Sequence, residues 1–422
     1  MHIPLRSLLL PALWLAGAFG TALSAEVLTW EAAVQEAAAR NAELRAAQAS
    51  LSSSEELVRA ARSGFFPQVS AGVTYTEVEG SAVSTTTSTS GYNAAVSATQ
   101  NLFAGFQDSA RVEQAEANRA VAEASLAIVR ARLSLDLKVA YAGMLYAQEN
   151  VALTERIVRR LEENVRLVEL RFEGGRENKG ALLLTRANLA QARYEYLQAR
   201  QALLAAQAQL ARVLGRSEIH DFSVAPALPH VDPGAPPDFE QLLPAVPDYR
   251  LLVEQEKAAA AGLRLARAGF YPSVNVGGSL ARDGADWFPE DDRRTITASL
   301  TVPLFSGGRD YYGTRASAAT LTASGANKEN AERLARLRLR QTYNAYVEAA
   351  EKLKVDAAFV EAAETRAAIA RSKYNNGLMT FEDWDRIETD LIQRYKAALV
   401  GRRDRVSAEA AWEQAQGRGA IP

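Results

Sequence analysis

The chain has 422 residues, 23% charged and 48% hydrophobic, with a formal net charge of −2, three His and no Cys. Without thiols there is no disulfide, no thiolate nucleophile, no Cys-ligated metal and no lipidated N-terminal Cys, and a near-neutral charge gives no electrostatic case for nucleic acid. So little imidazole, with one His inside the first segment described next, disfavours an ordinary enzyme.

Residues 1–25 read as a secretory signal peptide. Arg6 precedes the apolar run Leu8-Leu9-Leu10-Pro11-Ala12-Leu13-Trp14-Leu15-Ala16, and small residues follow up to Ala25. That core is shorter than the ~20 residues a spanning helix needs. Cleavage is expected after Ala25, with the bond after Ser24 fitting about as well, and the mature chain is expected to have no transmembrane helix.

A first repeat is predicted over residues 26–214: a helix, strands at about 65–79 and 92–102, a long helix at about 106–172, a turn, and a return helix at about 179–214. Alternation marks the strands. Tyr92, Ala94, Val96 and Ala98 share one face while Asn93, Ser97, Thr99 and Asn101 share the other, and Val69, Ala71, Val73 and Tyr75 line the first strand. Residues 80–91, rich in Gly, Ser and Thr, read as the connecting loop. The long segment lacks Pro and has Gly only at Gly143, so it spans roughly 100 Å at 1.5 Å per residue. It carries the stripe Leu153, Ile157, Leu161, Val165, Val168 and Phe172. The return helix shows a repeat of seven at Leu182, Leu189, Tyr196, Leu203 and Leu210, with small residues at Thr185, Ala192, Ala199 and Ala206. Large-then-small heptads indicate close-packed, supercoiled helices.

Residues 215–247, rich in Pro, read as a linker or equatorial region. His220 and His230 lie there beside Asp221 and Asp232, as solvent-exposed residues rather than a metal site. A second repeat follows over 248–416: a helix, strands at about 270–281 and 295–304, a long helix at about 308–374 and a return helix at about 380–416, with a tail at 417–422. Ile296, Ala298, Leu300 and Val302 oppose Thr295, Thr297, Ser299 and Thr301. Three landmarks return about 200 residues later in the same order. Gly64-Phe65-Phe66-Pro67 matches Gly269-Phe270-Tyr271-Pro272, Leu102-Phe103-Ala104-Gly105 matches Leu304-Phe305-Ser306-Gly307, and Phe172-Glu173-Gly174-Gly175 matches Tyr374-Asn375-Asn376-Gly377.

Strands of this length, with one apolar and one Ser/Thr/Asn face and aromatics near their ends, match outer-membrane barrel strands. A soluble sheet would need a cover that the mainly helical remainder does not supply. Four strands cannot close a barrel, and an open edge in lipid strands its backbone polar groups. Chains must therefore pool strands: two give eight and a filled interior, three give twelve and room for a lumen.

In its two repeats and three landmarks the chain resembles the TolC-type outer-membrane efflux proteins (outer membrane factors). The resemblance implies a mainly α fold with a membrane β-barrel: a homotrimer whose copies share a twelve-stranded barrel that continues into a helical coiled-coil tunnel. It implies outer-membrane lipid around the barrel, a periplasmic adaptor and an inner-membrane transporter as partners, and no cofactor and no nucleic acid. The function implied is an exit duct for efflux or type I secretion, gated at the helix turns; the alternative is a periplasmic coiled-coil adaptor without a pore.

Family members carry an Asp six residues after the turn Gly of the second repeat, which here is Asp383, with Asp385 two further on. Threefold symmetry gathers such carboxylates into a cation-favouring ring. The chain departs from the pattern at Arg386, where some members have a second Asp, and at Ala181, the first-repeat counterpart of Asp383. Gate candidates are Asp383, Asp385, Arg386 and Tyr374. Turn or docking candidates are Phe172, Gly175, Gly377, Arg176 and Lys179, and Arg171, Glu177, Lys373 and Glu382 share the same turns.

Overall fold

The computed structural model describes residues 26–82, 85–217 and 221–422; the signal peptide expected at 1–25 and His220 lie outside them. Strand β1 (Glu26–Leu28) leads into helices α1 (Trp30–Arg40) and α2 (Ala42–Ala61). A hairpin of β2 (Gln68–Ala82) and β3 (Thr85–Ala104) precedes α3 (Gln107–Glu173) and its return, α4 (Lys179–Leu214). Strand β4 (Phe222–Val224) and the one-turn α5 (Phe239–Leu242) come next. The pattern then repeats as α6 (Pro247–Ala268), β5 (Ser273–Gly284), β6 (Asp291–Thr301), α7 (Arg309–Asn375) and α8 (Phe381–Ala415).

Helices α3 and α7 have 67 residues each, or roughly 100 Å. Toward the sheet, α2 packs on α3, α3 on α6, and α6 on α7. Toward the far end the order is α4, α3, α8, α7. Leu153, Ile157, Leu161 and Val168 of the expected α3 stripe are buried, whereas Phe172 stays partly exposed at the tip. On α4 the small row Thr185, Ala192 and Ala199 is buried; of the large row Leu182 and Leu210 are buried at its two ends and Leu189, Tyr196 and Leu203 are half-buried between them. Small residues let two backbones approach closely, so they occupy the seam and larger neighbours flank it.

The four antiparallel strands lie in the order β2-β3-β5-β6, with β2 and β6 at open edges. Directly paired residues share a face, so Val69, Ala98, Gly278 and Ile296 form an apolar row, and Ser70, Ser97, Ser279 and Thr295 the polar row beside it. Among the described residues nothing covers the apolar face: Val69, Leu280 and Leu300 are more than half exposed and Ile296 is 88% exposed. Aromatics gather at both ends of the sheet. Phe103, Phe106 and Tyr271 meet edge-to-face near the helices, and Tyr75, Tyr92 and Trp287 cluster near the loops.

Strand limits depart from the sequence expectation. Of residues 80–91, expected as a loop, 80–82 and 85–91 extend the hairpin, with Gly80 paired to Thr87 and Thr76 to Gly91. Turn-rich composition concealed them, while β-branched Thr suits a pleated ladder. Phe65 belongs to a one-turn 3₁₀ segment, so β2 starts at Gln68. Strands β5 and β6 run further into the charged loop, where Arg282 pairs across to Asp292 at 2.9 Å. At its other end β6 stops at Thr301, before Pro303, which lacks the N–H a ladder needs.

The expected linker also carries structure. Strand β4 pairs in parallel with β1, and the Tyr141 hydroxyl donates toward the Leu28 and Ala225 carbonyls at 3.1 and 2.9 Å. Asn41 Oδ1 caps α2, and its Nδ2 donates to the Val213 carbonyl at 3.0 Å, locking α2 to the end of α4. His230 is exposed, and Asp232 is held by Arg405 at 2.9 Å.

Beneath this segment Lys138 of α3 donates to Glu409 and Glu413 of α8 at 3.0 and 2.9 Å, and the Val231 N–H donates to Glu409 at 3.2 Å. Glu409 is buried, so its charge depends on these partners. Lys138→Met, which leaves Glu409 with only the longer 3.8 Å pair to Arg405, is expected to cost about 3 kcal/mol, read as a lowered denaturation midpoint in detergent.

Candidate functional site at the paired helix turns

At the end of the rod away from the sheet, both long helices stop in the same way. The Arg176 N–H donates to the Arg171 carbonyl at 2.8 Å and the Gly175 N–H to the Phe172 carbonyl at 3.0 Å. In the second repeat the Leu378 N–H donates to Lys373 at 2.9 Å and the Gly377 N–H to Tyr374 at 3.0 Å. This is the Schellman pattern, and it needs a left-handed residue, supplied by Gly175 (φ 70°) and Gly377 (φ 76°).

The return helices are then capped alike. Asn178 Oδ1 accepts from the Ala181 N–H at 2.9 Å, and Thr380 Oγ1 accepts from the Asp383 N–H at 3.2 Å. Ala181 and Asp383 are thus the same structural position, the third residue of each return helix. The Asp383 carboxylate accepts from the Thr380 hydroxyl at 3.1 Å and pairs with Arg386 at 3.0 Å, both of them exposed at the tip.

The gate candidates divide into three environments. Asp383 and Arg386 stand together at the exposed tip. Asp385 turns inward, where Asn188 Nδ2 of α4 donates to it at 3.2 Å. Burial raises its carboxyl above the usual Asp range; the Asn188 bond opposes the shift and the nearby Glu388 charge adds to it.

Tyr374 is fully buried and joins the two turns. Its ring stacks on Trp384 at 4.4 Å, and the Arg171 guanidinium lies 4.4 Å from its centroid on the side of the first hairpin. Arg171 Nη1 donates to the Tyr374 carbonyl at 2.7 Å, and the Tyr374 hydroxyl donates to Glu177 at 2.8 Å. Burial and the Glu177 carboxylate push its phenol well above the ordinary Tyr value, so it stays a donor. Val168, Leu182 and Phe381 complete this tip core. Phe172, Arg176 and Lys179 are exposed around it.

Further from the tip, Arg371 pairs with Glu163 at 2.8 Å. Arg160 then grips Glu388 with two bonds of 2.6 and 2.9 Å, and Asn164 Nδ2 adds a third at 3.4 Å. Trp384, Asn188, Arg160, Asn164 and Glu388 are absent from the sequence-based candidates. A signal existed for Glu388: it interrupts the apolar helical stripe Phe381, Trp384 and Leu391, and a charge there requires a buried partner.

A family model described as outer membrane efflux protein matches residues 33–216 and 242–418. The alkaline protease secretion protein AprF of Pseudomonas aeruginosa is 27% identical over 273 residues, covering 61% of this chain and 54% of the relative, so the match spans about half of that protein. The fold is that of the outer-membrane channel OprN (TM-score 0.83, 20% identity, 92% and 90% of the two chains covered). It is also that of VceC from Vibrio cholerae (TM-score 0.80, 21% identity, 92% and 95%) and of the open-state MtrE channel of Neisseria gonorrhoeae (TM-score 0.80, 20% identity, 93% and 89%).

An acid whose pKa rises on folding stabilises the fold below its unfolded pKa, and that contribution is lost as pH climbs through the folded value. Asp385→Asn should therefore raise the thermal midpoint at pH 7 relative to the parent and leave little difference near pH 3. Val at Gly175 or Gly377 should destabilise its turn by about 1–2 kcal/mol, seen as faster amide exchange confined to residues 170–182 or 372–384.

Proposed function

Because the chain belongs to the outer membrane efflux protein family, we propose that three copies form one channel, the passive exit duct of an efflux pump or a type I secretion system. The observation that carries this is a pair of matching open edges. In the sheet, β2 and β6 are unpaired; in the rod, α4 and α7 are the outer helices of the α4-α3-α8-α7 layer. Both outer helices expose apolar stripes, Leu183, Leu197 and Leu204 on α4 and Val355, Phe359 and Ile369 on α7. One cyclic operation joins β6 to β2 and α7 to α4 of the next copy, satisfying the strand edges in lipid and burying the stripes.

Three copies give twelve strands and room for a lumen. The rod then crosses the periplasm, and its turns meet a periplasmic adaptor and an inner-membrane transporter that load the duct. The relationship to AprF, whose name denotes protease secretion, supports a polypeptide cargo; the likeness to OprN and MtrE supports the channel form alone.

The gate is the tip ring. Asp383 faces its mouth with Arg386 beside it, whereas Asp385 is committed to Asn188 inside each copy. Purified protein should run as a trimer in detergent and form cation-favouring pores in planar bilayers. Asp383→Ala should lower the cation preference and Arg386→Ala raise it. A freely water-soluble single chain without pore activity overturns the reading, and unchanged selectivity in both variants removes this pair from the gate.

A further inference from the structure

We propose that Arg294 at the β6 edge of each copy pairs with Glu77 at the β2 edge of the next, and that this pair sets the register in which the sheets join. The inference rests on the trimeric channel above and adds to it a specific seam.

Arg294 lies on the apolar face, in one row with Ala71, Val96 and Leu280. In the adjoining row Arg282 and Asp292 neutralise each other at 2.9 Å. Among the described residues Arg294 has neither ion pair nor hydrogen bond. Glu77 shares this face two residues beyond Tyr75, is exposed, and among the described residues accepts only the Tyr75 hydroxyl at 3.2 Å. A lone charge of either sign is unfavourable on a lipid-facing strand, and these two occupy opposite open edges.

The foot of the sheet shows how the edges meet. Gln68, where β2 begins, is in one row with Thr99, Gly277 and Thr297, yet β6 runs on through Ala298 to Thr301 before the chain turns toward α7. The foot thus descends from β2 to β6, and the next β2 must start at or below the end of β6. It is therefore displaced toward the helices, by an even number of residues so that apolar faces stay together. Twelve strands tilted by about 35–45° require a displacement of about 4 to 6 residues per copy.

A displacement of about six sets Glu77 directly across from Arg294. One of about four sets Tyr75 there and leaves Arg294 without a carboxylate across the seam. Charge complementarity selects the larger step. Asp292, held by Arg282 at 2.9 Å, then falls opposite Glu79 instead of Glu77, so it meets a carboxylate at either step and the choice rests on Arg294 alone.

The chain has no Cys, so paired thiols report the register directly. Within one chain the two positions are three strand spacings apart, at least ~14 Å, beyond the reach of a disulfide. Full-length chain carrying Glu77→Cys with Arg294→Cys, oxidised in outer-membrane vesicles, is expected to run mostly as a covalent trimer on a non-reducing denaturing gel. Either single variant should not. Cross-linking of Tyr75→Cys with Arg294→Cys instead overturns the register. No cross-link in either pair, with a trimeric native mass retained, overturns the seam and leaves the trimer standing; a single-chain native mass overturns the trimer itself. As a second variant set, Glu77→Arg and Arg294→Glu should each lower the temperature at which the trimer dissociates, and the double exchange should restore it. Equal loss in the double variant contradicts the pairing.

Discussion

A backbone group that leaves water must find a partner, and this chain supplies too few strands to satisfy its own. Four strands end in two bare ladders, and among the described residues no helix or loop covers either one. The same shortage recurs in the rod, where α4 and α7 leave apolar residues such as Leu183, Leu197, Val355 and Phe359 exposed within one copy. Membrane sheet and periplasmic rod are thereby bound to one symmetry operation, because a copy that closes the first also closes the second.

The polar chemistry follows the same economy. Buried charges are concentrated where elements from different parts of the sequence cross. Lys138, Glu409 and Glu413 sit under the equatorial segment, and Arg160, Asn164 and Glu388 lie near the turns. Each joins α3 of the first repeat to α8 of the second. A buried pair adds little net stability compared with an apolar substitute, but leaving one member alone is costly, so such pairs fix which surfaces meet. At the tip, by contrast, Asp383 and Arg386 are exposed and, among the described residues, pair only with each other and with Thr380.

What could be read from the sequence was whatever repeats. The 3.6-residue spacing of Leu153, Ile157, Leu161 and Val168 marks a buried stripe, and the alternation of Val69, Ala71 and Val73 marks a face. The aromatic-x-x-Gly landmarks located both turns because a left-handed Gly leaves a local signature. Single events remained hidden. Three-residue strands such as β4 have no period, the Ser/Thr hairpin imitates a loop, and the junction of β3 with β5 depends on residues far apart in the chain. At the site, the pairing of Tyr374 with Glu177 and of Glu388 with Arg160 is set by the crossing of two hairpins, which no local window contains.

The Tyr374 contacts have a mechanical meaning. With Arg171 gripping its carbonyl and ring, and Glu177 its hydroxyl, the two hairpin ends of one copy are riveted at a single buried phenol. A sideways slip of an ångström or two between them breaks two charge-assisted bonds at once. Force applied to either hairpin is therefore shared by both, and each copy responds to a load as one stiff strut rather than as two independent fingers.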